Sequence, residues 1–157
     1  MTMVIQSPEF GNNEVIPKRF TGGGDDVSPQ LTWSSVPEAA TELAIICDDP
    51  DAPSPEPWVH WVIYKILAST VGLPESIAKR ESLTEPVGAL QGKNSWDRIG
   101  YGGPAPPPGS GVHHYRFKLY ALDTMLNVGP GLNKDRLLAA MQGHITAQGE
   151  LVGTYQR

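Results

Sequence analysis

One cysteine, Cys47, is all the sequence contains, which excludes an internal disulfide. It ends the apolar run Leu43-Ala44-Ile45-Ile46-Cys47, where a thiol reads as a small buried hydrophobe rather than a nucleophile. No run of Lys and Arg is present, and 12 basic residues face 17 acidic ones for a formal charge of −5. That balance lacks the positive footprint that nucleic acid or an anionic bilayer surface requires. Long apolar stretches are also missing, so no membrane span is expected. The opening Met1-Thr2-Met3-Val4-Ile5-Gln6-Ser7-Pro8 has no basic segment leading into an apolar one, which makes the cytoplasm the default compartment. Internal repeats, charge blocks, a GxxxxGK[ST] phosphate loop, an HExxH metal pair and a GxSxG nucleophile elbow are all absent.

Glycine and proline are abundant instead, at 17 and 15 residues, well above their usual share. Both residue types end strands and set turns, so the chain reads as a loop-rich, mainly β protein, one domain over 1–157. Met3 to Ile5 and Leu31 to Trp33 read as short strands, and Leu43 to Cys47 as a strand covered on both faces. Trp58 to Ile66 is another strand, with Trp58, His60, Val62 and Tyr64 predicted to share one side. Residues 68–92 carry only a weak polar pattern, expected to be loop with a short turn of helix. In the cleanest strand, His113, Tyr115, Phe117, Leu119 and Ala121 take the inward phase. Asn133 is a plausible N-cap for a helix over Lys134 to Ala147, with Leu137, Leu138, Met141 and Ile145 as its core stripe. Leu151 to Tyr155 would then form a last short strand. Without a βαβ alternation, a parallel doubly wound sheet is not expected.

The candidate chemistry gathers at strand ends. Asp49 and Asp51 flank Pro50, and Pro53 follows, so both carboxylates sit on stiff backbone and are predicted to project to one side. A plain strand-ending turn uses the same residues. His60 and His113 each lie near the start of a strand, and His113 faces inward beside the Gly/Pro-rich loop Gly100 to Gly111. Polar inward residues at such a junction are what a pocket mouth requires, although a lone buried histidine is more often a hydrogen-bonded core residue. Two histidines with one carboxylate would also make a metal set, and Ser95, His60 and Asp49 a hydrolytic one. Neither has a supporting local motif.

Together these segments resemble the phosphatidylethanolamine-binding protein family, in particular its bacterial and archaeal YbhB/YbcL type (Raf kinase inhibitor-like). The resemblance rests on Asp25-Asp26-Val27-Ser28-Pro29-Gln30-Leu31-Thr32-Trp33, on Asp48-Asp49-Pro50-Asp51-Ala52-Pro53 with Trp58-Val59-His60-Trp61, and on Asn94-Ser95-Trp96. It continues through Gly100-Tyr101-Gly102-Gly103-Pro104, Pro106-Pro107, and His113 with Tyr115. It implies an antiparallel β-sandwich with a few peripheral helices, one near the C-terminus. It also implies a surface pocket for phosphate-like or carboxylate groups, on Asp49, Asp51, His60, Ala105, Pro106, His113 and Tyr115. His60 and His113 would donate to the anion, and a zwitterionic ligand with an ammonium arm would reconcile it with the nearby carboxylates. Ala105 stands where relatives carry Gly or Cys, and His114 where Arg is usual. The function implied is that of a non-enzymatic binder or regulator with no metal or cofactor. Alternatively, the pocket serves as the docking point of a kinase or serine-protease inhibitor. A homodimer is implied for this branch.

Overall fold

The computed structural model describes residues 2–157 and resolves the punctuated sequence into ten strands and one α-helix among those residues. In chain order they are β1 (Val4–Gln6), β2 (Glu14–Val15), β3 (Leu31–Ser34), β4 (Glu42–Asp49) and β5 (Trp58–Leu67). Then come β6 (Gly72–Leu73), β7 (Ser82–Thr84), β8 (Val87–Gln91), β9 (His113–Leu122), α1 (Lys134–Met141) and β10 (Ile145–Tyr155). Seven strands form one sheet in the order β2-β10-β9-β4-β5-β8-β7, and β1-β3-β6 form a second. Every pairing is antiparallel except the short parallel contact of β2 with β10.

The two faces of the large sheet bury two apolar layers. Between the sheets, Leu43, Ile45 and Cys47 of β4 pack with Trp61, Ile63, Phe117 and Leu119 against Ile5, Leu31 and Trp33. On the opposite face Ala44, Ile46, Val62, Tyr64 and Leu122 lie under Leu137 and Met141 of α1. Central β4 is therefore buried along its whole length, which explains its nearly unbroken apolar sequence. Burial also pushes the Cys47 thiol up, in keeping with a packing role.

Three sequence expectations change. Residues 68–92 hold β6, β7 and β8 rather than a turn of helix. These strands are too short to develop a readable period, and their pairing partners supply what local pattern does not. Asn133 does cap α1, its Oδ1 accepting the Arg136 N–H at 2.9 Å, but the helix stops at Met141. Gly143 turns the chain at φ 83°, and Ile145 begins β10, an eleven-residue strand that absorbs the short one expected at Leu151. The peripheral helices reduce to α1 and a 3-10 turn at Lys18–Phe20.

That 3-10 turn anchors the loop between β8 and β9. The Tyr101 hydroxyl donates to the Phe20 carbonyl at 2.7 Å, and the Gly22 N–H donates to the Pro104 carbonyl at 2.8 Å. The Gly103 N–H donates to Asp26 Oδ1 at 2.6 Å. A Cβ on Gly103 would run into the Phe20 carbonyl and the Thr21 backbone, so close approach and not a special φ requires glycine there. Gly103→Ala should lower the unfolding free energy by about 2 kcal/mol, the scale of an overpacked site. Gly129→Ala, which meets no atom within 4 Å, should be nearly neutral. Urea denaturation of both variants checks this.

Candidate functional site

A β-bulge determines where His60 points. Cys47 pairs with Trp61 and Asp48 with Val59, so one residue of β5, His60, has no partner of its own on β4. Val59 consequently lies with Val62 and Tyr64 under α1, while His60 turns to the side of Trp61. There its ring meets Tyr115 edge-on, with centroids 5.0 Å apart. The predicted sharing of one side by His60, Val62 and Tyr64 is thus overturned, because the bulge shifts the phase. Loop groups satisfy the displaced backbone: Val59 N–H donates to Ser95 Oγ at 2.7 Å, and Ser95 N–H returns a bond to the Val59 carbonyl at 2.8 Å. His60 and Gly102 bond reciprocally, Gly102 N–H to the His60 carbonyl at 2.9 Å and His60 Nδ1 to the Gly102 carbonyl at 2.6 Å.

A carbonyl only accepts, so Nδ1 of His60 carries the proton. Burial holds the imidazole below its ordinary value, opposed by that bond to Gly102. His60 is therefore neutral near pH 7, and its Nε2, which has no protein partner, is an acceptor. This reverses the donor role expected from sequence.

His113 is held differently. Its Nδ1 meets Asp49 Oδ2 at 2.7 Å, with both side chains almost fully buried. The other oxygen of Asp49 accepts the Asp51 N–H at 2.8 Å, an Asx turn that bends the chain immediately after β4. That bend separates the two carboxylates. Asp49 faces inward, whereas Asp51 lies on the exposed rim and accepts from the N–H and Nδ1 of His114 at 2.8 and 2.7 Å. The expectation that both aspartates project to one side fails because the segment turns rather than staying extended. Burial alone would raise the Asp51 carboxyl, but the His114 bonds outweigh it and hold the group below the usual value.

Above His113 and His60 is a cavity of about 320 Å³. Asp49, His60, Ala105, Pro106, His113 and Tyr115 line it, so six of the seven expected residues converge and Asp51 does not. Trp58 and Trp96 complete an apolar wall. Trp96 packs edge-on against both Trp58 and His60, with centroids at 5.5 and 5.1 Å. Its six-membered ring lies where a Cβ of Gly102 would be, so that glycine gives the indole its seat. Asn94 shapes the loop beneath, Oδ1 accepting from Trp96 N–H and Arg98 N–H, and Nδ2 donating to the Gly100 carbonyl. Trp96 was legible only as part of a motif, and an aromatic residue amid glycine punctuation was its one signal.

Tyr115 is 1% exposed, and its hydroxyl has no hydrogen-bond partner among the described residues. Burial, then the charge of Asp49, pushes the phenol far above its ordinary range, so it stays protonated. A buried, protonated hydroxyl that no group of the fold pairs, lining a cavity, is placed to donate to whatever enters it. Ser110, also missed in sequence, approaches His113 Nε2 at 3.0 Å while donating to the Pro107 carbonyl at 2.7 Å. One hydroxyl proton cannot serve both acceptors, so which atom donates at the Ser110–His113 contact follows the tautomer of a ring whose Nδ1 already faces Asp49. Ser95 Oγ accepts the Val59 N–H and makes no hydrogen bond with His60. No group of three or more His, Cys, Asp or Glu is placed to hold a metal among the described residues.

The sequence profile of the family described as "Phosphatidylethanolamine-binding protein" matches residues 6–156. A UPF0098 protein of Pyrococcus abyssi is 48% identical over 99% of this chain and 86% of its own length. The crystal structure of Escherichia coli YbcL, described as a member of the mammalian PEBP family, superposes with a TM-score of 0.93 at 31% identity, covering 100% and 99% of the two chains. A carboxypeptidase Y inhibitor solved with its cognate proteinase, at 17% identity and a TM-score of 0.51 over 99% and 82% of the chains, shares the fold alone.

Two outcomes follow from the geometry. Tyr115→Phe should stabilise the unliganded protein by about 1 kcal/mol, since it removes a buried hydroxyl without losing a bond. Chemical denaturation measures it, and a loss of stability would mean that the hydroxyl is satisfied. His60 gives a pH signature. Its folded value lies below its unfolded one, so between them the unfolded state binds more protons and stability rises with pH. Its burial therefore costs nothing well above pH 6.5 and destabilises progressively as pH falls below it. Relative to His60→Gln, the wild type should lose stability between pH 7.5 and 5.

Proposed function

Because the chain belongs to the phosphatidylethanolamine-binding protein family, we propose that the cavity receives the anionic end of a small phosphate- or carboxylate-bearing molecule. On this reading the protein is a ligand-binding module rather than a catalyst. The observation that carries it is the pairing of a buried Asp49–His113 couple with the unpartnered Tyr115 hydroxyl on one cavity wall.

Each polar group has a defined part. His113 Nε2 can exchange the exposed Ser110 hydroxyl for a ligand oxygen, with Asp49 fixing the ring through Nδ1. The Tyr115 hydroxyl donates a second bond. The Asp49 charge does not repel the anion unopposed, because each of its oxygens already has a hydrogen-bonded partner. Neutral His60 accepts through Nε2, which suits the hydroxyl of a hydrogen phosphate or the ammonium arm of a zwitterion. Trp58, Trp96 and Pro106 exclude water and strengthen these few bonds.

Titration with phosphorylethanolamine, followed by the ring resonances of His60 and His113, tests the reading. Both should shift with saturation, His113→Ala should abolish the response, and Tyr115→Phe should weaken binding about tenfold, the value of one buried hydrogen bond. Unchanged spectra at millimolar ligand would overturn it.

A further inference from the structure

Trp96 and Ala105 line two cavities, not one. Beyond the wall they share with the His60–His113 cavity lies a second, of about 280 Å³. Its floor is backbone, because Gly22, Gly102 and Gly103 present no side chains. Its charged residues are Lys79, Arg98 and Asp26. Asp26 is committed: Oδ1 accepts the Gly103 N–H at 2.6 Å, and Oδ2 meets Lys79 Nζ at 3.3 Å. Arg98 is exposed and forms no ion pair among the described residues, although the chain carries a formal charge of −5. The second cavity thus holds one Lys79–Asp26 ion pair and one unpaired cation, Arg98, a net charge of +1.

We infer that this cavity is a second anion subsite, and that the protein's ligand class is a small molecule with two anionic groups, one at His113 and Tyr115 and one at Arg98 and Lys79. The inference rests on the anion reading of the first cavity and extends it. Physically, the two sites divide the work. The first cavity recognises its anion by placed hydrogen bonds from His113 and Tyr115. The second supplies charge, and a guanidinium offers a planar fork to phosphate or carboxylate. Trp96 is the common partition. Its indole rests on Gly102 and lines both cavities, so a linker crossing from one to the other meets an aromatic ring.

The test uses the intact protein and alkane-α,ω-bisphosphates of increasing chain length, each paired with the monoalkyl phosphate of the same length, in calorimetric titration. Past a threshold length the bisphosphate should bind more tightly than its monophosphate partner. Arg98→Ala should erase about three- to tenfold of affinity for the bisphosphate and leave the monophosphate unchanged, the range expected for a partly exposed charged contact. Arg98→Lys should restore part of it, and the bisphosphate should show the steeper salt dependence. Equal binding of both ligand types at every length, or an Arg98→Ala effect common to both, overturns the second subsite while leaving the first intact. Failure of both ligand types to bind the wild type overturns both.

Discussion

The one-residue bulge in β5 is the constraint on which the rest of the site depends. It rotates His60 out of the layer beneath α1 and into the cavity. Val59 N–H and C=O bond Ser95, and His60 C=O and Nδ1 bond Gly102, which is how the long connection between β8 and β9 becomes fixed to the sheet. Without the bulge, His60 would face the apolar layer of Val62 and Tyr64.

The far side of that connection is held by backbone contact with the turn at Phe20–Asp26. Glycine at 103 permits the approach, and Asp26 and Phe20 take its hydrogen bonds. A loop rich in glycine and proline thereby becomes a rigid wall, because its donors are committed inside the protein. Two polar groups on the cavity wall, the Tyr115 hydroxyl and His60 Nε2, have no hydrogen-bond partner among the described residues.

Asp49 and His113 illustrate how neighbouring residues receive different tasks. Asp49 ends β4 and turns inward to His113, while Asp51, two positions on, closes the rim against His114. One pair orients a ring within the cavity, and the other fastens the turn to the first residues of β9. The same Asx turn accomplishes both, by bending the chain between the carboxylates.

Strand identity for β3, β4, β5 and β9, the N-cap of α1, and the gathering of Asp49, His60, Ala105, Pro106, His113 and Tyr115 were all legible in the amino-acid sequence. The strands and cap were legible because period-2 alternation and capping chemistry are local properties, and the gathering through motifs that resemble a known family. The inward phase of His113 and Tyr115 followed from their alternation with Phe117 and Leu119. Tertiary structure alone decided the direction of His60, the departure of Asp51 from the cavity, the end of α1 at Met141 and the strands within 68–92. A bulge is defined by the partner strand, and an Asx turn by where a side-chain oxygen meets a backbone N–H. Strands of two to five residues exist only through pairing, so none of these leaves a periodic trace in the residues themselves. The absence of a partner for the Tyr115 hydroxyl is likewise a property of its surroundings. Sequence determined the inward phase of His113 and Tyr115, and the fold decided where His60 and Asp51 would point and which hydroxyl would be left without a partner among the described residues.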